Sequence, residues 1–328
     1  MDVRRLGMLA SAATGGRHAA GQLANELWAL FGARAKTVLL LACVVCVSLF
    51  WLAGRLLHIP AHPGFEASLA QQPSATADLV VTGMVLCVST ALATSFTGAI
   101  RYEAGLFAGA VGLTALSVRG GPVRYVLQEA GAPRIFLAMA LELVVLYGFL
   151  GLAWLGLWRL HRAGRLAGDE THDGLKDREH PLNDRLYALG TQVGAMLLLM
   201  LFFTRTDEKK QVLWAVFLSS YLATLLAYAM SPVRPSAWYW CGPLVVGAFG
   251  YVAAYLKWRG MDDAVHWRAG IGEGFWAPLG RPLPLDYASL GTAGALLGYW
   301  MSRRWQSARE AEVAAMAQAS RSTNTFRA

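Results

Sequence analysis

Charged side chains are scarce in this 328-residue sequence. Asp, Glu, Lys and Arg make up 15% of the residues, whereas a soluble domain carries about 25%. Hydrophobic residues account for 55%, and the mean hydropathy is +0.40. So few charged residues cannot give a domain of this size a water-facing surface. The composition therefore excludes an ordinary soluble protein and indicates a membrane protein along its whole length.

Cysteine is also rare. The four cysteines all lie in apolar stretches, so a disulfide scaffold is excluded. Cys43 and Cys46 form a C-x-x-C pair, which is compatible with redox or metal chemistry. Both belong to an uncharged apolar segment, where cysteine commonly serves as a small hydrophobic residue. We favour that packing role.

Sequence motifs of enzymes and cofactor sites are missing. The chain has no H-E-x-x-H, G-x-S-x-G or Walker A pattern, and no histidine lies inside an apolar stretch. Histidines and carboxylates in the 159–185 loop match no metal-ligand spacing. We therefore predict no cofactor and no metal site, and we favour a protein that is not an enzyme.

Apolar stretches long enough to cross a bilayer, about 20 residues each, dominate the rest of the chain. The fold class predicted is an all-α, polytopic bundle of about eight transmembrane spans. The stretch at 104–118 is short, so it either crosses fully or is re-entrant and shielded by protein. The predicted spans lie near 37–57, 79–100, 104–118, 135–158, 186–204, 211–230, 238–257 and 287–302.

Basic residues predict the orientation of this bundle. With both termini in the cytoplasm, most of the 29 Lys and Arg residues fall on the inner side, as the positive-inside rule requires. Residues 1–36 then form a cytoplasmic segment with a weak amphipathic pattern, and residues 303–328 form a cytoplasmic tail with a short helix. The composition suggests a bacterial inner membrane.

The net charge of +8 does not indicate nucleic-acid binding, because no basic run carries interleaved aromatic residues. Excess basic residues instead suit the anionic headgroups of membrane lipids. Lipids are therefore expected partners, together with other membrane subunits or further copies of this chain.

Glu142 is the acidic residue placed deepest in a predicted span. It lies seven residues after the start of the 135–158 stretch, about 10 Å from that end. An intramembrane carboxylate is costly and marks a functional site by default. Glu142 is therefore a candidate proton or cation site, or a buried group that fixes helix packing. Arg119 and Arg124 are expected at the same end of the bundle and within its reach.

Further candidates lie at helix ends and in glycine pairs. Arg101 and Glu103 occupy a tight turn between two spans, as headgroup-facing charges or as an ion pair in a cleft. Three G-x-x-x-G pairs predict close helix packing, within the chain or between chains. These pairs are Gly105 with Gly109, Gly190 with Gly194, and Gly294 with Gly298.

Three functions from different classes fit these features. The absence of catalytic motifs and of a soluble domain favours a non-catalytic membrane subunit or scaffold of a larger assembly. The first alternative is a small-solute or ion transporter that uses Glu142 as a coupling residue. The second is an interfacial enzyme that holds a lipid-linked phosphate with Arg101, Glu103 and the arginines of the 159–165 stretch.

Overall fold

The computed structural model describes residues 34–55, 57, 69, 74–98, 100–124, 133–164, 166, 181–234, 236–259 and 277–325. Secondary structure within these ranges is helical throughout, in agreement with the predicted all-α class. The predicted N-terminal amphipathic pattern lies outside the described residues. So do most of the 159–185 loop and most of the 258–286 loop.

Helices that follow one another in the chain pack together on either side of the turns at 98–103 and 204–208. The helix Ala237–Trp258 contains a turn at Cys241, and a π-helical segment, Tyr287–Gly291, leads directly into the helix Thr292–Thr325. In chain order the helices are α1 (Arg34–Arg55), α2 (Ala75–Thr97), α3 (Ala104–Arg119), α4 (Ile135–Arg162), α5 (Leu182–Phe203), α6 (Lys209–Met230), α7 (Ala237–Trp258), α8 (Ala277–Gly280), α9 (Pro284–Asp286) and α10 (Thr292–Thr325).

Among the described residues, six helices are long and apolar enough to cross a membrane: α1, α2, α4, α5, α6 and α7. Large apolar side chains on these helices point outwards, including Leu40, Leu141, Leu198 and Leu226. Such a surface is unfavourable in water and suits lipid. The chain is therefore a multi-pass membrane protein, as its composition predicts.

Helix α3 does not reach the length of a spanning helix. Its 16 residues extend about 24 Å, less than the roughly 30 Å hydrocarbon core. Eleven of them are buried, so protein rather than lipid surrounds this helix. The glycines allow this burial, because a Cβ on Gly105 would lie 2.9 Å from the carbonyl oxygen of Thr90.

Helix α10 differs most from the sequence prediction. The stretch 287–302 begins as a π-helix and continues as one helix through Thr325. Its first turns pack closely on α6, since a Cβ on Gly298 would lie 2.6 Å from the carbonyl oxygen of Tyr221. The predicted tail is helical over most of its length because it contains no Gly or Pro and many strong helix formers.

The predicted pair Gly190 and Gly194 is placed differently from the other two. Described atoms approach no closer than 4 Å to a Cβ built on Gly190 or Gly194 of α5. The same holds for Gly148 and Gly151 of α4. Within the described residues, these glycines therefore serve no close helix contact, in contrast to those of α3 and α10.

Candidate functional site

A buried ion pair lies at the end of the bundle where α3 and α5 finish and α4 and α6 begin. Asp286 ends the short helix α9 and is fully buried. The ammonium of Lys209, the first residue of α6, lies 2.6 Å from its Oδ1. Ser117 near the end of α3 donates a second hydrogen bond to Oδ1, at 2.5 Å. The carboxylate thus joins three elements that are distant in sequence.

The second oxygen of Asp286 is also satisfied. The backbone N–H of Leu283 donates to Oδ2 at 2.8 Å, which caps α9 at its N-terminus. A buried carboxylate that accepts three hydrogen bonds, one from a cation, avoids much of the desolvation penalty of an isolated charge. We refer to Asp286, Lys209 and Ser117 as the Asp286 cluster.

Buried tyrosines surround the segment that carries Asp286. Tyr251 of α7 donates to the carbonyl of Pro282, and Tyr287 donates to the carbonyl of Leu279 at 2.9 Å. Tyr147 of α4 donates to the carbonyl of Tyr287 at 3.1 Å. These hydroxyls satisfy backbone groups where the chain leaves regular helix, which the low-dielectric interior requires. Tyr251 and Tyr147 also connect α7 and α4 to the segment 279–287, which carries Asp286.

Glu142 lies beside this tyrosine layer. It belongs to the buried stripe of α4, three residues after Met139 and four before Leu146, and its exposure is 1%. The ring of Tyr251 meets the ring of Tyr287 edge-on, with centres 6.2 Å apart, and both Glu142 and Asp286 act electrostatically on the Tyr251 hydroxyl. The sequence candidate Glu142 and a second buried carboxylate thus act on the same tyrosine.

The two arginines expected near Glu142 contact Trp51 and Asp207. The guanidinium carbon of Arg119 lies 4.2 Å from the centre of the Trp51 ring on α1. Arg124 lies 3.6 Å from the carboxylate of Asp207, in the turn between α5 and α6. Both arginines are at the same end of the bundle as Glu142. Their contacts lie at the outer edge of that end, which we call the rim.

Arg281 lies at the rim, in the short segment between α8 and α9. Its guanidinium donates to the carbonyl of Thr204 at 2.6 Å, which ties this segment to the end of α5. Partial burial lowers the pKa of Arg281 from its ordinary value, and the nearby Asp207 opposes that shift. Arg281 and Asp207 therefore form a charged border around the Asp286 cluster.

The opposite end of the bundle contains the other sequence candidates. Glu103, just before α3, is 4% exposed, and its carboxylate accepts a hydrogen bond of 2.9 Å from the indole of Trp300. Arg101 lies over the same indole, 5.7 Å from its centre. Tyr102 stacks on His161 of α4 with ring centres 4.8 Å apart. We call this region the Trp300 end.

The described residues contain no group of three or more His, Cys, Asp or Glu side chains arranged to hold a metal ion. Cys43, Cys46, Cys87 and Cys241 are free thiols. Cys46 is fully buried and directs its thiol to the carbonyl of Ser89 on α2 at 3.6 Å. In this arrangement Cys46 contributes to the packing of α1 on α2.

Sequence reasoning missed Asp286 and Lys209. Each lies at the boundary of an apolar stretch, just outside the predicted spans 287–302 and 211–230. Hydropathy assigns such residues to the surface, whereas the folded chain buries them against each other. Tyr147, Tyr251 and Tyr287 gave a weak signal, because a tyrosine inside an apolar span needs a partner for its hydroxyl.

Comparisons of the chain with family models, with curated proteins and with solved structures found no match.

Proposed function

We propose that this multi-pass membrane protein is a transporter that carries a proton or a small cation through the Asp286 cluster and Glu142. The supporting observation is that two buried carboxylates, Glu142 and Asp286, act electrostatically on Tyr251, and that Asp286 is bound to the largely buried ammonium of Lys209. Intramembrane ionisable groups are costly, face the protein interior and mark ion or proton pathways. Glu142 alone is weak support for this function. The second buried carboxylate, Asp286, strengthens the support.

Lys209 gives the site a means of exchange. An ammonium on a flexible four-carbon stem can leave a carboxylate more readily than a bidentate guanidinium can. The Lys209 side chain is 14% exposed while that of Asp286 is 0% exposed, so Lys209 lies on the path towards solvent. A proton or cation that enters from this end would take the place of the Lys209 ammonium on Asp286.

Glu142 would receive the ion next. It belongs to the interior of α4, whereas Asp286 ends the short helix α9, and both carboxylates act electrostatically on the hydroxyl of Tyr251. Glu142 lies about 10 Å along α4 from this end, so an ion that reaches it is already inside the bundle. The path therefore runs from the rim formed by Arg281 and Asp207, through Asp286, to Glu142.

The orientation proposed places this rim outside. The Trp300 end and the Arg-rich end of α10 would face the cytoplasm, because basic residues are retained on that side. In a bacterial inner membrane, which the composition suggests, protons outside would then reach Asp286 under the usual membrane potential.

Reconstituted vesicles test the proposal. The full chain is inserted into liposomes that contain a pH-sensitive dye, and a potassium diffusion potential drives proton entry. A parallel series uses a sodium-sensitive dye. We expect the native protein to give flux of one of these ions and Glu142→Gln to lower it at least tenfold. Glu208→Gln, which alters an exposed carboxylate at the same end, should retain the native rate.

Two results would contradict the proposal. One is flux of neither ion above that of empty liposomes, in either orientation of the potential. The other is equal flux by the native protein and the folded Glu142→Gln variant. Size-exclusion profiles of both variants establish that the comparison is between folded proteins.

A membrane subunit or self-assembling scaffold is the second candidate. The observation that favours it is the glycine face of α5, where Gly190 and Gly194 meet no described atom within 4 Å of an added Cβ. Small residues of this spacing let helices from different chains approach closely. Purification in mild detergent, followed by mass determination and identification of co-purifying chains, tests it. A lone monomer in several detergents would contradict this candidate.

A further inference from the structure

Hydrogen-bond donors surround the carboxylate of Asp286. The Lys209 ammonium and the Ser117 hydroxyl donate to Oδ1 at 2.6 and 2.5 Å, and the backbone N–H of Leu283 donates to Oδ2 at 2.8 Å. Each of these groups turns a positively polarised hydrogen towards the carboxylate. A cation that reaches either oxygen of Asp286 therefore meets hydrogens, which repel it, rather than further oxygen atoms.

A metal cation needs different surroundings. Hard cations are held by several oxygen ligands at once, from carboxylates, carbonyls and water. Of the three neighbours of Asp286, the Lys209 ammonium and the Leu283 N–H have no lone pair to give. The Ser117 hydroxyl is the one neighbour that could turn its oxygen towards a metal ion. One carboxylate and one hydroxyl oxygen are too few ligands for such an ion.

Backbone carbonyls of the segment that carries Asp286 are engaged by protein donors. The carbonyls of Leu279 and Pro282 accept hydrogen bonds from tyrosine hydroxyls, and that of Leu285 accepts the hydroxyl of Ser289 at 2.6 Å. A metal ion would have to displace these hydroxyls or share an oxygen with their hydrogens. The carbonyls therefore do not complete a ligand set for a metal ion.

A proton needs a single oxygen of Asp286, and Ser117 suits both states of the carboxyl group. A serine hydroxyl has one hydrogen to donate and lone pairs with which to accept. When Oδ1 carries a proton, the fully buried Ser117 can accept a hydrogen bond from it. The Leu283 N–H continues to donate to Oδ2. A neutral carboxyl group also costs less to bury than an ionised one.

Lys209 is the neighbour that has to move when Asp286 binds a proton. It is the first residue of α6, and its side chain is 14% exposed while that of Asp286 is 0% exposed. A proton from outside water bonds to Oδ1, the contact with the ammonium breaks, and the ammonium keeps its three hydrogens and turns into water. The buried site then holds a neutral carboxyl group. When the proton passes on towards Glu142, the ammonium returns to Asp286.

Other titratable groups lie around the Asp286 cluster on every element packed against it. Within the described residues, Lys209 is the cation that contacts the Asp286 carboxylate directly. The other groups are Glu142 and Tyr147 on α4, Tyr251 on α7, Tyr287 after α9, and Arg119, Arg124, Asp207 and Arg281 at the rim.

We infer that the ion carried by this protein is a proton rather than a metal cation, and that its binding to Asp286 releases Lys209. The inference rests on the proposed transport function and names the substrate class of the same site. The three hydrogen-bond donors on Asp286 are the observation that carries it.

Ion selectivity of the native full chain separates the inference from the function on which it rests. Proton and sodium entry into liposomes are measured under equal driving forces. We expect proton flux and no sodium flux above that of empty liposomes. Sodium flux, with or without proton flux, would overturn the inference and leave a cation transporter. Flux of neither ion would overturn the proposed function and the inference with it.

Infrared difference spectra measure protonation of Asp286 without transport. The carbonyl stretch of protonated carboxyl groups is followed while the native protein in detergent is titrated with acid. The band missing from the double variant Lys209→Met with Asp286→Asn, which buries no unpaired charge, belongs to Asp286. We expect the same pH of half-protonation in sodium chloride and in choline chloride of equal concentration.

Two results of this titration would overturn the inference. A lower pH of half-protonation in sodium chloride would mean that sodium competes with the proton for the carboxylate. Absence of the Asp286 band throughout the pH range in which the protein stays folded would mean that Asp286 does not bind a proton.

An arginine at position 209 tests the release of the cation. A guanidinium binds a carboxylate through two parallel hydrogen bonds and leaves it less readily than an ammonium, so Lys209→Arg should lower proton flux about tenfold. Lys210→Arg makes the same change at the next, exposed position and should retain the native flux. Native flux by folded Lys209→Arg, or equal losses in the two variants, would overturn the release of Lys209. If Lys209→Arg does not fold, the infrared titration decides the inference.

Discussion

The ammonium of Lys209 and the carboxylate of Asp286 lie 2.6 Å apart, and Asp286 has no exposed surface. The two residues begin and end different helices and are separated by 77 positions in the chain. Their contact fixes the start of α6 against the segment that precedes α10. It also places a charge pair inside a bundle that otherwise buries mostly apolar side chains.

Removal of the lysine should destabilise the fold strongly. Lys209→Met leaves the Asp286 carboxylate buried without its cation, and breaking a buried pair in this way costs about 3–5 kcal/mol. Lys210, the next residue, is exposed, so Lys210→Met should change the free energy of unfolding by less than about 0.5 kcal/mol. Reversible unfolding of the detergent-solubilised variants measures both values.

The double variant separates the ion pair from simple loss of packing. Lys209→Met combined with Asp286→Asn removes both charges, so it should recover a large part of the stability that Lys209→Met loses. Asp286→Asn is also measured alone. If the double variant loses as much stability as Lys209→Met and Asp286→Asn together, the two residues are not coupled and the ion pair does not contribute to stability.

A second expected effect concerns Ser117. Its hydroxyl donates to Asp286 from α3, and a hydrogen bond to a charged group contributes about 1.5–3 kcal/mol. Ser117→Ala should lower the free energy of unfolding by about that amount. Ser95→Ala is the control, because the Ser95 hydroxyl is exposed and donates only to the carbonyl of Leu92 within its own helix. Similar losses in the two variants would show that Ser117 does not support Asp286.

The long helices and Glu142 could be predicted from the sequence, whereas the Asp286–Lys209 pair could not. Span positions follow from long apolar runs, so the six long helices were readily predicted from composition. Glu142 was identifiable because a carboxylate inside such a run is costly wherever the helix packs. The Asp286–Lys209 pair was not, because both residues lie at helix boundaries where hydropathy does not distinguish a buried charge from one in water.

Helix α3 shows a related limit. Its composition resembles that of a spanning helix, and its short length left two alternatives open. Its burial depends on neighbours, since α2 supplies Thr90 and Thr94 against its glycines. Local sequence contains no information on which glycine pair meets another helix, and the pairs of α3 and α5 look alike in the sequence.

Alanine substitution of a glycine should therefore have opposite effects on stability in α10 and in α5. A Cβ on Gly298 would lie 2.6 Å from a backbone oxygen of α6, which cannot move aside as a flexible side chain can. Gly298→Ala should lower the free energy of unfolding by about 1–3 kcal/mol because it forces α10 away from α6.

Gly190→Ala adds a methyl group in open space, and the higher helix propensity of alanine should raise stability by up to about 1 kcal/mol. Unfolding of the two variants in the same detergent measures the difference. Destabilisation by Gly190→Ala, together with a change in the mass of the purified protein, would indicate that α5 is covered by another chain.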